Sequence, residues 1–387
     1  MRYEKALEGR TVLLVPRHGY TRADPGHVFF NPVASLNRDV SVVIAAAVGG
    51  RTFCDSMSGV GARGLRIANE VEKTEKVTFV DINRASLRLA RRAAALNGVL
   101  AKCDFVHGDT NTVLYREFQR RRRQNAVDLD PFGSPIRNLQ AAISATADGG
   151  VLSVTATDTA VLCGVHQRVC LRRYGSRSLN NSFHHETAAR ILLNSIRRVA
   201  SLLELGISPV AAHSTRHYVR VYVRIEVGVS KADANLRNEG YVLSCSGCGE
   251  VSSSPDPSKT CRLCGSKNRV AGPLWTGDLV EPRVVSSATA HAKKKKLKEA
   301  TRLLSALKSV NSFPPWSFSI EDACSSAGIA TVPERLVKDD LLTKGFKTMR
   351  QPFEATGLKS SATYAEFLDS VKSAGRMSQA PFHPSQK

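Results

Sequence analysis

The stretch Arg51-Thr-Phe-Cys-Asp55-Ser-Met-Ser-Gly59-Val-Gly61-Ala-Arg-Gly64 decides how the rest of the chain is read. A short apolar run ending on an acid, then glycines, then helical residues makes a strand–turn–helix unit. Glycines there let the backbone approach a bound nucleotide and open a helix N-terminus toward it. Gly59, Gly61 and Gly64 also satisfy G-x-G-x-x-G, with Asp81 about 20 residues on at the end of the next strand, so a nicotinamide-dependent oxidoreductase stays open. Two details weigh against it. Asp55 and a Ser-Met-Ser stretch separate the strand from the glycines, and an acid at that point would repel a pyrophosphate. Asp55 suits a cofactor bearing an amino acid better, and Asp81 should hold ribose hydroxyls under either reading.

Outward from this turn, short β-branched runs alternate with amphipathic helices over 51–227. Strands are expected at 51–55, 76–81, 104–109, 126–130 and 151–155. The helix over 83–97 places Leu87, Ala90 and Ala94 on one face and Arg88, Arg91 and Arg92 on another. Such alternation predicts a parallel, doubly wound sheet. A long helix over 186–205 precedes two strands, 209–213 and 218–227, whose short separation reads as an antiparallel hairpin closing the sheet. The expected fold is α/β, a Rossmann-like class I methyltransferase core, plus a smaller α+β zinc-containing C-terminal domain. The expected divisions are 1–240 for cofactor binding, 241–378 for a zinc-bearing domain that docks RNA, and 379–387 for a disordered tail.

Asp128-Leu-Asp130-Pro131-Phe132-Gly133 falls at the end of the fourth strand, where open α/β sheets bind ligands. Its composition fits methylation of an exocyclic amino group. Such a nitrogen is a poor nucleophile because its lone pair is delocalised into the ring. A carboxylate and a carbonyl accepting its two hydrogens pull it toward a reactive, pyramidal geometry. Asp130 supplies the carboxylate, Pro131 the carbonyl, and Phe132 a face for the base. An ordinary Asp-Pro turn is the plain alternative.

Cys245-x-x-Cys248 and Cys261-x-x-Cys264 have the spacing of a tetrahedral zinc site with four thiolates and no open position, hence a structural one. The remaining five of nine cysteines read as small core residues or inert thiols. Lys and Arg outnumber Asp and Glu by 55 to 34, a net +21 that favours a polyanionic partner. Arg120–Arg123 and Lys293–Lys296, the latter expected to begin a C-terminal helix, would hold phosphates or simply face solvent. The chain start is charged, and the apolar run 42–48 is too short to span a bilayer. These features lead us to expect a cytoplasmic protein, with no membrane association and a monomeric state.

Several longer strings carry a resemblance. Phe29-Phe-Asn-Pro-Val33 with Asn37-Arg-Asp-Val-Ser41, Thr157-Asp-Thr-Ala-Val-Leu-Cys-Gly164, Arg173-Tyr-Gly175, His185-Glu186 and Gly272-Pro-Leu-Trp275 join the glycine turn, the Asp128–Pro135 loop and the CxxC pairs. Together they resemble the tRNA (guanine(26)-N(2))-dimethyltransferase family over nearly the whole chain. That resemblance implies S-adenosyl-L-methionine as cofactor, structural zinc, and tRNA as partner. It implies one or two methyl transfers to the amino nitrogen of guanosine 26. Carried over by motif, Arg38, Arg63, Asp81, Asp109 and Thr110 would line the cofactor, with Arg66 the alternative to Arg63. Asp130 would act on the base, with Phe29 and Phe30 helping to enclose it. The chain departs from the family pattern near its end. Thr348-Met-Arg-Gln351 and Ser360-Ser-Ala-Thr363 stand where the family carries Ser-Arg-Thr-His and Thr-Asp-Ala-Pro. A non-catalytic RNA-binding module would keep the basic surface and the zinc without needing the Asp130 loop.

Overall fold

The β-branched runs are buried on both faces, which is what a parallel sheet with helices on either side demands. In β4 (below), Val77, Phe79 and Val80 are all inaccessible to solvent. The computed structural model describes residues 3–17, 28–215, 217–354 and 356–379. It opens with a hairpin, β1 (Tyr3–Glu8) and β2 (Thr11–Pro16), then α1 (Ser35–Val48). Next come β3 (Thr52–Asp55), α2 (Ala62–Glu70), β4 (Lys76–Asp81), α3 (Arg84–Leu96), β5 (Cys103–His107), α4 (Thr110–Gln119), β6 (Gln124–Leu129), α5 (Leu139–Ala145) and β7 (Thr146–Ala156). The short helices α6 (Thr159–Leu162) and α7 (Gln167–Tyr174) lead to α8 (His184–Ser201), β8 (Leu205–Thr215) and β9 (Tyr218–Val227).

These strands form one sheet of order β5-β4-β3-β6-β7-β9-β8. The first five are parallel, whereas β9 runs antiparallel to both β7 and β8. The hairpin expected from the sequence therefore closes the sheet. The strand order reverses between β3 and β6, so the crevice at their carboxyl ends is where a ligand belongs. Leu87, Ala90 and Ala94 of α3 are buried and Arg88, Arg91 and Arg92 exposed, as the periodicity predicts. Some boundaries differ. The long helix stops at Ser201 because residues from Leu205 onward pair with β9. Asp109 caps α4 rather than ending a strand, its Oδ1 accepting from the Thr112 amide at 3.0 Å.

Beyond the sheet, α9 (Val229–Leu236) precedes β10 (Glu239–Cys245), β11 (Val251–Ser254) and β12 (Asn268–Trp275), an antiparallel sheet of order β11-β10-β12. Helices α10 (Pro282–Lys294) and α11 (Lys298–Leu307) then return to pack on α1. The expectation that Lys293–Lys296 begins a helix is corrected here: the run ends α10. Lys296 takes a left-handed φ of 58° that breaks the helix, and Lys295 turns inward to Glu70 Oε2 at 3.2 Å. The chain finishes with α12 (Ile320–Ala327), α13 (Glu334–Thr343), β13 (Thr348–Arg350), β14 (Leu358–Ser360) and α14 (Tyr364–Gln379). The expected tail beyond Gln379 lies outside the described residues. No helix among the described residues is long and apolar enough to cross a membrane.

A buried ionic cluster ties this last unit to the core. Glu186 of α8 accepts from Arg190 at 2.9 Å, from Lys359 of β14 at 2.7 Å and from Gln351 at 3.1 Å. Gln351, where the resemblance implies a histidine, is thus spent on an internal bond. Thr363 forms a capping box with Glu366 at the start of α14, its amide donating to Glu366 Oε2 at 2.7 Å. Both departures from the family pattern have structural jobs.

Candidate active site

Backbone amides bonded to neighbouring strands and carboxylates hold the glycine turn. The Ser56 amide donates to Asp128 O at 3.0 Å, the Ser58 amide to Val80 O at 2.9 Å, and the Gly59 amide to Asp81 Oδ2 at 2.7 Å. Asp55 Oδ2 accepts the Gly64 amide at 2.9 Å, capping the first turn of α2. Not every glycine faces the crevice. A Cβ on Gly61, whose φ is +76°, would sit 2.9 Å from Ala90 Cβ, and one on Gly64 would sit 2.5 Å from Phe79 Cε1. Those two let α2 lie close on β4 and α3. At Gly59 the only atom of the described residues within 4 Å of an added Cβ is Phe29 O at 3.5 Å, so the room for a ligand is there.

The Asp130 loop lies one strand away. Thr157 pins it from both sides, its Oγ1 accepting the Gly133 amide at 2.6 Å and its amide donating to Gly133 O at 2.9 Å. No hydrogen bond among the described residues engages the Pro131 carbonyl. Phe132 is 62% exposed and meets Phe29 edge-on, ring centroids 4.8 Å apart. The loop thus presents a carboxylate, an unused carbonyl and an open aromatic face side by side.

Behind it runs a buried ionic chain. Arg63 donates to Asp128, to Asp130 Oδ2 at 2.6 Å and to Asn37 Oδ1 at 2.7 Å. Arg220 of β9, fully buried, donates to the other oxygen of Asp128, to Tyr222 Oη at 2.8 Å, to Ser41 Oγ at 3.1 Å and to Thr155 Oγ1. Two guanidiniums therefore face the carboxyls of Asp55, Asp128 and Asp130. Burial pushes Asp130 up, but Arg63 and Arg220, with hydrogen bonds from Arg63 and Thr155, outweigh it and hold the group below its ordinary value. Asp130 is a carboxylate at neutral pH. The surplus acid is Asp55, which burial pushes up to about 7 against the opposing pull of Arg63.

A group whose pKa is raised on folding contributes stability that is complete below its unfolded value and lost as pH rises through the folded one. Asp55 should therefore make the protein less stable as pH rises from about 4 to about 7. Urea midpoints across that window should fall in the wild type relative to Asp55→Asn, which keeps the acceptor for Gly64. Parallel curves would refute the assignment.

The other sequence-selected residues are placed as follows. Asp81 Oδ1 accepts the Asn83 amide at 2.7 Å, so its two oxygens fix the turn on both sides. Buried Thr110 donates to Ser56 O at 2.6 Å, and Asp109 beside it is exposed. Arg38 is held by Glu8 at 2.7 Å through Nε and by Asn31 O at 3.0 Å, with its guanidinium 5.2 Å from the Phe30 ring centroid. Phe30 is 7% exposed and packs in the core, whereas Phe29 reaches Phe132. Arg63 faces Asp130. Arg66, one turn on, points away to Glu70 at 3.0 Å and Asp39 at 2.6 Å. Arg120–Arg123 precede β6 and so sit at the opposite edge of the sheet, roughly 20 Å from its carboxyl end for a six-residue strand. Sequence reasoning missed Asn37, Thr155, Arg220 and Tyr222 as members of the site.

In the C-terminal sheet the four cysteines converge. Their sulfurs lie within 4.8 Å of one another, with Cys245 to Cys264 at 3.5 Å and Cys248 to Cys261 at 3.8 Å. Four thiolates around one zinc sit about 3.8 Å apart. Amides of Gly247 and Cys248 point at Cys245 Sγ at 3.3 and 3.4 Å, the turn of a CxxC knuckle.

Comparison with known proteins adds the following. Residues 9–372 match the family model described as N2,N2-dimethylguanosine tRNA methyltransferase. A tRNA (guanine(26)-N(2))-dimethyltransferase of Methanothermobacter thermautotrophicus is 32% identical over 370 residues, covering 93% of this chain and 96% of that protein. The protein of the same description from Methanopyrus kandleri is 34% identical over 373 residues, covering 95% and 96%. Among solved structures, Trm1 from Pyrococcus horikoshii in complex with S-adenosyl-L-methionine superposes with a TM-score of 0.85 at 29% identity, covering 95% of this chain and 99% of that one.

Proposed function

The chain belongs to the N2,N2-dimethylguanosine tRNA methyltransferase family, and from that premise we propose how its residues methylate the amino nitrogen of guanosine 26 in tRNA. It is an S-adenosyl-L-methionine-dependent tRNA methyltransferase. The observation that carries the residue assignment is the Asp130-Pro131-Phe132 loop at the carboxyl end of β6, beside the glycine turn.

The site fits the cofactor on its own chemistry. With Asp55 ionised, three carboxyls against two guanidiniums leave a surplus of negative charge suited to a cationic sulfonium and amino group. Ser58 Oγ is buried without a partner, next to the opening at Gly59. The glycine turn, Asp81, Asp109 and Thr110 would hold the cofactor, Asp81 accepting from ribose hydroxyls. Arg38, clamped to Glu8, would act by fixing the Phe29–Asn31 segment over the site. When bound, S-adenosyl-L-methionine supplies an electrophilic methyl group.

The protein's part is to make the amino nitrogen nucleophilic. Asp130 and the Pro131 carbonyl accept its two hydrogens, withdrawing its lone pair from conjugation. Phe132, with Phe29 at its edge, stacks the unpaired base. Arg63 keeps Asp130 ionised and aimed, and Asp130 takes the proton that the nitrogen loses. The four cysteines would hold a structural zinc, and residues 241–378 would dock the tRNA. A transcript with adenosine at position 26 should accept no methyl group from the enzyme, against efficient labelling of the guanosine transcript. Equal labelling of the two would overturn the assignment of the base.

A further inference from the structure

A second cluster of metal-ligating side chains lies outside both sites described so far. Cys163 follows α6, while His184 and His185 open α8. The Cys163 sulfur and one ring nitrogen of each histidine lie within 4.8 Å of one another. The δ nitrogen of each ring is already engaged. His184 Nδ1 meets the carbonyl of Asn181, and His185 Nδ1 meets Glu354 Oε2 at 2.7 Å, while the His185 amide donates to Glu354 Oε1 at 2.9 Å. A ring that donates its δ N–H to a carbonyl or carboxylate has its orientation set and offers its ε nitrogen to a metal. Two neighbouring histidines oriented in this way, beside a thiol that is 7% exposed, make a soft, nitrogen-and-sulfur donor set.

We propose that Cys163, His184 and His185 form a second zinc site, separate from the four-cysteine knuckle, with Glu354 as its outer carboxylate. One sulfur and two imidazoles suit zinc, whose tetrahedral ligands lie about 3.3–3.6 Å apart, so donors that lie within 4.8 Å of one another would have to draw in by about 1 Å on binding. The thiol gives its proton to solvent on binding, and the thiolate and Glu354 balance the charge of the ion. Three protein ligands leave one position for water. A cavity of about 570 Å³, lined by His184 and Glu354 but not by Cys163 or His185, opens beside the cluster. The ligands come from the segment after α6, a few residues beyond Thr157, and from α8. Glu354 lies in the link between β13 and β14. An ion here fastens the C-terminal unit to the part of the core that pins the Asp130 loop.

The full-length protein, reduced, incubated with excess zinc and passed through gel filtration, should carry two equivalents of zinc per chain by elemental analysis. Cys163→Ser and His184→Gln should each carry one. Cys261→Ser should also carry one, from the other site, so failure of the four-cysteine reading and failure of this one give different counts. Double substitution of Cys163 and Cys261 should carry none. A wild-type count of one that Cys261→Ser removes, or a count of two that neither Cys163→Ser nor His184→Gln lowers, overturns the second site. The wild-type count and the histidine variant keep the test decisive if Cys163→Ser does not fold.

Discussion

Replacing Asp130 with alanine should lower the turnover of methyl transfer by roughly 10²–10⁴-fold, the usual contribution of a positioned acid–base group. Affinity for tRNA should stay within a few-fold, because phosphate contacts made elsewhere supply most of it. The argument rests on geometry and ionisation together. Asp130 stands at the mouth of the crevice, with an unused carbonyl at Pro131 next to it and Arg63 at 2.6 Å holding it as a carboxylate. Its loss leaves Arg63 still paired with Asp128 and Asn37, so the fold should tolerate the change. Single-turnover rates with bound tRNA separate the two effects. Near-normal turnover, or a loss confined to tRNA binding, would remove the carboxylate from the chemistry.

The second large effect is on stability. Arg220→Met should cost on the order of 3–5 kcal/mol, the penalty for taking one partner from a buried ion pair. Arg220 is fully buried and bonds Asp128, Thr155, Ser41 and Tyr222 at once, so four polar groups lose a donor or a hydrogen-bonded neighbour together. Asp128 would be left with Arg63 alone, weakening the hold of Arg63 on Asp130. Ser41→Ala leaves the buried ion pair in place and removes the bonds of Ser41 Oγ with Arg220, Tyr222 and Asn37 O, so it should cost less, about 1–2 kcal/mol. Urea unfolding of both variants checks the contrast. An Arg220→Met protein within about 1 kcal/mol of wild type would mean that the chain of charges does not stabilise the sheet.

Much of this was legible in the residues. Strand–turn–helix alternation gave the parallel sheet, and the short separation of the runs 209–213 and 218–227 gave its antiparallel close. The glycine turn alone left a nicotinamide reading tied with a methyltransferase one, and the Asp130-Pro131-Phe132 loop at the end of the neighbouring strand broke the tie. The glycine pattern itself was a poorer guide to roles. Gly61 and Gly64 are required by Phe79 and Ala90, contacts between elements that no local string encodes. Arg220 was invisible for a similar reason. It shares a face of β9 with Tyr218 and Tyr222, and an arginine there reads as the wet side of a hairpin strand. The docking of α1, which sets Ser41 against it, buries it together with Asp128 and Thr155 of neighbouring strands. The lysine run misled through its charge: Lys295 finds a buried carboxylate, and Lys296 adopts a conformation that ends the helix instead of starting one.

One amino group at one position is the proposed target of this crevice. Unmodified tRNA transcript, incubated with the enzyme and S-adenosyl-L-methionine and then digested, should yield N2-methylguanosine and N2,N2-dimethylguanosine. Mass spectrometry of the fragments should place both at position 26. Methylation of another base or ring atom, or no incorporation by a folded and cofactor-saturated enzyme, would contradict it.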